Sequence, residues 1–114
     1  MENYEQMDER IKARQKLYAR GSKIISPFAN EEINKHYRLF FEDGTQIIAL
    51  YINSGDGDNG LDLDDPDFED LFEFYFIIKR IEEKGTTNVF KENEGIVLNY
   101  HNFFEKFDLY EGEI

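Results

Sequence analysis

The stretch Asn53 to Asp70, NSGDGDNGLDLDDPDFED, holds the densest set of ionisable side chains in the chain. Carboxylates so closely spaced can ligate a hard cation, serve in pairs as acid–base or metal-holding groups, or present a negative surface to a cationic molecule. Calcium needs oxygen ligands in a fixed register, and that register fails. An EF-hand loop with Gly60 sixth puts Gly55 and Gly57 at ligand positions, and with Gly57 sixth it puts Ile52 first and Leu63 last. The glycine-aspartate pattern from Gly57 to Asp62 resembles a β-roll repeat only loosely and occurs once, whereas such repeats must stack on further copies. No metal site and no cofactor are expected.

Catalytic constellations fare no better. Pro66-Asp67 followed by Glu82-Glu83-Lys84 imitates the two-carboxylate-and-lysine spacing of a nuclease site. On one helix, however, Asp67 and Glu82 would stand about 22 Å apart at 1.5 Å per residue, too far to share a metal. Ser22, Ser26 and Ser54 lie in no G-x-S-x-G elbow, there is no cysteine, and the histidines occur singly at His36 and His101. The two histidines meet only if the hairpins that carry them pair, and without a third positioned group they make a weak site. No glycine-rich phosphate loop precedes a Lys-Ser or Lys-Thr pair. The chain is expected not to be an enzyme.

The charged surface itself remains. Net charge is −12. Residues 1–23 hold six bases against four acids, while residues 24–114 hold seven bases against 21 acids. From Asp56 to Glu73 nine acids occur with no base. Such a field repels nucleic acid and steers toward cations. The function expected is therefore that of a small acidic binding or inhibitor protein of the immunity, antitoxin or phage and plasmid anti-defence type. It would present Asp56, Asp58, Asp62, Asp64, Asp67, Glu69 and Asp70 to a basic protein partner, such as a nuclease, a toxin or a nucleic-acid-handling complex, in imitation of phosphate. That analogy rests on size and charge. The alternative is a regulatory nucleic-acid-binding domain that uses Lys12, Lys16 and Arg20, an i, i+4, i+8 stripe on one helix face. The aromatics of YRLFF and VLNYHNFF lack the basic surroundings that single-strand-binding sheets provide, so direct nucleic-acid contact by the body of the protein is not expected.

These side chains need a scaffold, and 114 residues with 40% hydrophobic content, eleven Phe and seven Tyr are enough for one domain with a real core. Tyr4, Met7, Ile11 and Tyr18 recur at helical steps and predict an amphipathic N-terminal helix over 1–21, stopped by Gly21. KIISPF reads as a short strand ending at Pro27. Two β-rich runs at 37–42 and 45–52, joined by Asp43-Gly44, predict a hairpin whose second strand is apolar on both faces. That strand is covered on both sides or paired across an interface, which leaves a homodimer open.

An acidic loop over 53–65 follows. Asp65 as N-cap, Pro66 at the first turn, carboxylates near the start and Gly85 beyond the end predict a buried core helix over 66–84. TTNVFK and IVLNYH flank ENEG as a second hairpin, with Gly95 taking positive φ. The tail 102–114 reads equally as helix or strand. The expected fold is α+β: one domain over 1–114, with an antiparallel sheet of four to five strands and two helices. No apolar run reaches the roughly 20 residues that span a bilayer, and MENYEQMDER has no signal-peptide pattern, so a cytoplasmic protein without membrane contact is expected.

Overall fold

The computed structural model describes residue 23 and residues 25–114. The helix expected over 1–21, and with it the Lys12, Lys16 and Arg20 stripe, lies outside the described residues. Within them the elements are five strands: β1 His36–Phe40, β2 Gln46–Asp58, β3 Asp70–Glu83, β4 Gly95–Leu98 and β5 Lys106–Tyr110. They form one sheet in the order β4-β3-β2-β1-β5, antiparallel at every pairing. No element among the described residues is a helix. The α+β expectation is thus corrected to a fold that is nearly all sheet.

Local chemistry explains the first hairpin. Gly44 adopts φ 92°, which a side chain would resist, and the Phe41 amide donates to the Thr45 carbonyl at 2.9 Å across the turn. Asp43 caps the same turn, its carboxylate accepting the Thr45 amide at 3.0 Å.

The core helix expected over 66–84 is instead β3, the longest strand. Its middle, LFEFYFII, alternates in burial as a strand does: Phe74, Phe76 and Ile78 are buried, and Tyr75 and Ile77 between them are half-buried. Aromatic and β-branched residues favour such a pleated position, and β2 and β4 supply ladders on its two edges along Phe74 to Ile77. The Asp65-Pro66 signal serves a turn. Asp65 accepts the Asp67 amide on its carboxylate at 2.8 Å and the Phe68 amide on its carbonyl at 3.0 Å, an Asx-type turn with proline second. Gly85 caps no helix either. A Cβ there would collide with the Thr45 hydroxyl and the Asp43 carboxylate, so close approach is what requires glycine.

The second hairpin also differs from expectation. Residues 86–91 form no strand, and β4 pairs back on β3 through a turn in which Asn93, at φ 68°, takes the left-handed position expected of Gly95. The tail supplies β5, which closes the sheet beside β1. The described residues of KIISPF make no strand: Phe28 donates its amide to the Ile25 carbonyl and the chain turns over Ser26 to Asn30.

The core lies on one face of the sheet. Tyr37, Leu39, Ile47, Ala49, Tyr51, Phe74, Phe76 and Ile78 point to it from β1, β2 and β3, and Phe28, Phe103 and Phe104 from the connections fill it. Burial, followed by the nearby Glu31 charge, pushes the Tyr37 hydroxyl up to about 12, and it donates to the Glu32 carbonyl. On the opposite face Ile48 is fully buried beside a polar cluster. Arg38 on β1 grips Glu82 on β3 with two nitrogens, at 2.6 and 3.3 Å, and Gln46 on β2 donates to the same carboxylate at 2.9 Å.

Candidate functional site

β2 and β3 outrun the rest of the sheet. Pairing of β1 with β2 ends at His36 opposite Leu50, and pairing of β4 with β3 ends at Leu98 opposite Phe74. Beyond those points the two long strands pair only with each other, from Gly55 opposite Glu73 to Asp58 opposite Asp70, while β2 is already clear of β1 at Asn53 and Ser54. The register shift between Tyr51 and Asn53 marks the bend where they leave the sheet. Four residue pairs at about 3.4 Å each make a two-stranded arm roughly 14 Å long, to which the apex is added. Residues 53–58, read from sequence as the start of a loop, are therefore strand.

The apex, residues 59–69, is held from inside by one side chain. Asn59 donates from Nδ2 to the Asp67 carbonyl at 2.7 Å, accepts the Glu69 amide on Oδ1 at 3.2 Å, and sends its own amide to the Glu69 carbonyl. Asp58 accepts the Gly60 amide at 2.7 Å, where Gly60 turns with φ 82°. Leu63 projects from this apex 85% exposed, and Leu61 beside it is 40% exposed.

At the outer edge of β3 the arm is braced. Tyr100 and His101, from the connection between β4 and β5, both reach the Glu69 carboxylate, His101 through Nε2 at 2.8 Å. Glu73 lies across Gly57 and accepts the Tyr75 hydroxyl at 2.8 Å.

The seven carboxylates singled out by sequence thus separate into two groups. Asp56 and Asp58 on β2, and Asp62, Asp64 and Asp67 at the apex, are all exposed, and none forms an ion pair with another described residue. Glu69 is half-buried and engaged by Tyr100 and His101, so it positions the arm. Asp70 opens β3 opposite Asp58. His36 and His101 do not come together: burial, then the Lys79 charge, holds His36 below the ordinary imidazole range at the start of β1, while His101 serves Glu69. Sequence reasoning missed Asn59, the exposed Leu61 and Leu63, and the Tyr100-His101 brace. Only the Asn59-Gly60 and Asn99-Tyr100-His101 turn chemistry hinted at them.

Among the described residues no three His, Asp or Glu side chains converge as a metal ion requires. A cleft of about 290 Å³ between Phe41 and Phe103 is rimmed by Glu42, Asp43, His101 and Asn102. Its best-placed acid is already committed. The Asp43 carboxylate accepts the amides of Thr45, Thr87 and Asn88, the Thr87 hydroxyl and the Asn88 side-chain amide. Burial opposes its ionisation, but the donors from Asn88, Thr45 and Thr87 outweigh burial and hold it well below the usual aspartate range.

Asp43 therefore ties the β1–β2 turn to the segment after β3. Asp43→Ala is expected to cost about 2 kcal/mol in urea melts at pH 7, since it leaves the donors of Thr45, Thr87 and Asn88 without their charged acceptor at a partly solvated site. Because the folded state binds the Asp43 proton less tightly than the unfolded chain, this contribution is complete above about pH 4 and fades as pH falls below it. The wild-type and mutant stabilities should converge in acid, and a gap that stays constant down to pH 2 would show that Asp43 acts by packing.

No helix among the described residues is long and apolar enough to cross a membrane. Comparison of the chain with protein-family models, with curated proteins and with solved structures returned no match.

Proposed function

We propose that this protein acts without catalysis, as a small acidic binding or inhibitor module whose β2–β3 arm engages a basic protein partner. One observation carries the proposal: the surplus carboxylates sit on a two-stranded arm that projects past the sheet and ends in exposed Leu61 and Leu63. Exposed leucines ringed by charge have the anatomy of an interface, an apolar anchor with a polar rim. The carboxylates raise the encounter rate and orient a cationic partner, while the leucines slow its departure. An immunity, antitoxin or anti-defence role fits such a surface, with a nuclease, a toxin or a nucleic-acid-handling complex as the basic partner. The alternative through Lys12, Lys16 and Arg20 depends on residues outside those described and gains nothing from the arm.

The test uses the partner captured from the native host. Replacing Asp56, Asp58, Asp62 and Asp64 by Asn removes repulsion at the arm and should leave the melting temperature unchanged or higher. Association with the partner should slow about tenfold or more, and its salt dependence should flatten. A quadruple variant that binds at the wild-type rate would make the arm a solvated ribbon and nothing more.

A further inference from the structure

The two edges of the arm are treated differently by the fold. The β3 edge is covered by β4 along Phe74 to Ile77, has no strand beside it among the described residues from Asp70 to Glu73, and is braced just before that stretch, at Glu69, by Tyr100 and His101. The β2 edge is covered by β1 along Gln46 to Leu50, and once more at Tyr51, whose amide donates to Lys35 and whose carbonyl accepts from Asn34. From Asn53 to Asp58 no strand covers it among the described residues. An extended backbone edge of this kind presents amides and carbonyls that pair with an added strand.

Its side chains also suit an added strand. Gly55 and Gly57 alternate with Asp56 and Asp58; a Cβ placed at Gly55 would meet no atom within 4 Å, so the backbone is open there, while the face over Gly57 is occupied by the Glu73 side chain of the neighbouring strand. Asp56 and Asp58 are exposed and, two residues apart, share one face of the ribbon. Residues opposite them on a neighbouring strand would stand about 5 Å away, where opposite charges attract and like charges repel. Self-pairing with a second copy sets aspartate near aspartate and is discouraged. The other two sheet edges lack this bias. β5 carries both Lys106 and Asp108, and on β4 the Val97 carbonyl already accepts the Asn102 side chain at 3.3 Å.

We infer that the partner docks by strand addition: an extended segment with Lys or Arg at alternate positions pairs with β2 along Asn53 to Asp58. This rests on the arm being the binding surface and specifies how it binds. Backbone hydrogen bonds supply the attachment, and Asp56 and Asp58 select a basic strand against acidic ones.

The test uses the full chain, isotope-labelled, at low ionic strength with two capped ten-residue peptides of alternating Lys and Val. One is unmodified. The other is N-methylated at its four central residues, which keeps every charge but blocks both strand edges. The unmodified peptide should bind and slow exchange tenfold or more at those amides of residues 53–58 that point away from β3, and the N-methylated one should bind at least tenfold more weakly. Equal binding of the two without protection at 53–58 would leave attraction by charge alone, overturning strand addition while the arm survives as the binding surface. Failure of both to bind would remove the inference and the arm together. Those amides of 53–58 that point away from β3, if already protected in the chain without peptide, would assign the edge to a second copy or to another part of the same chain, and would also overturn it.

Discussion

Alanine replacements along β3 are expected to alternate in cost. Phe74 and Phe76 are each 1% exposed and Ile78 is fully buried, all on the core face, while Tyr75 and Ile77 face the other way and are half-buried. Truncating Phe74 or Phe76 should cost about 3–5 kcal/mol and truncating Ile78 about 2–5, against about 1–2 for Tyr75 or Ile77. Phe72, 43% exposed on the arm, should cost less than Phe74 although its ring packs against it at 5.2 Å between centroids. A helix over the same residues would group the costs at Phe74, Ile77 and Ile78 and spare Phe76. Urea melts of Phe76→Ala and Ile77→Ala therefore separate the two structures, and a larger loss at Ile77 would contradict the strand.

Phe28→Ala is expected to be as damaging as any of these, although no strand contains Phe28. Its ring is fully buried and lies between 4.9 and 6.2 Å, centroid to centroid, from those of Tyr37, Tyr51, Phe74, Phe76, Phe103, Phe104 and Phe107. Several of these contacts are edge-on, an arrangement the aromatic quadrupole favours. Those rings come from β1, β2, β3, β5 and the connection after β4, so a single side chain joins segments distant in sequence. Truncation opens a cavity that so many rings cannot all move to fill, and a loss of about 3–5 kcal/mol follows. A loss below about 1 kcal/mol in thermal or urea melts would mean that the turn over Ser26 to Asn30 does not hold Phe28 in the core.

The parts of this fold that were legible in the sequence are those fixed within a few residues. Asp43-Gly44 between two alternating apolar runs specifies the β1–β2 turn on its own. The remainder depends on distant partners. LFEFYFII is compatible with a buried helix or with a strand whose second face is half-buried, and only the ladders from β2 and β4 decide between them. Asp65-Pro66 misled because aspartate before proline suits an Asx turn as well as a helix start. Phe28, set between Pro27 and Ala29, shows no periodicity, so its place at the centre of the core was invisible. The site was legible by composition alone. Sequence located the carboxylates but not the arm that separates exposed Asp56, Asp58, Asp62, Asp64 and Asp67 from Glu69, whose hold on Tyr100 and His101 spans about thirty residues. That distance defeats any local pattern.

Position, as opposed to total charge, is what the proposed binding surface depends on, and an equal-charge comparison measures it directly. Asp56, Asp58, Asp62 and Asp64 changed to Asn remove four charges from the arm. Glu83, Glu94, Glu105 and Glu111, all exposed and away from the apex, changed to Gln remove four elsewhere. Association rates of the two variants with the same captured basic partner are then compared at low salt. Binding through the arm predicts about a tenfold or greater loss for the first set and less than about twofold for the second. Equal losses, or a loss confined to the second set, would contradict it.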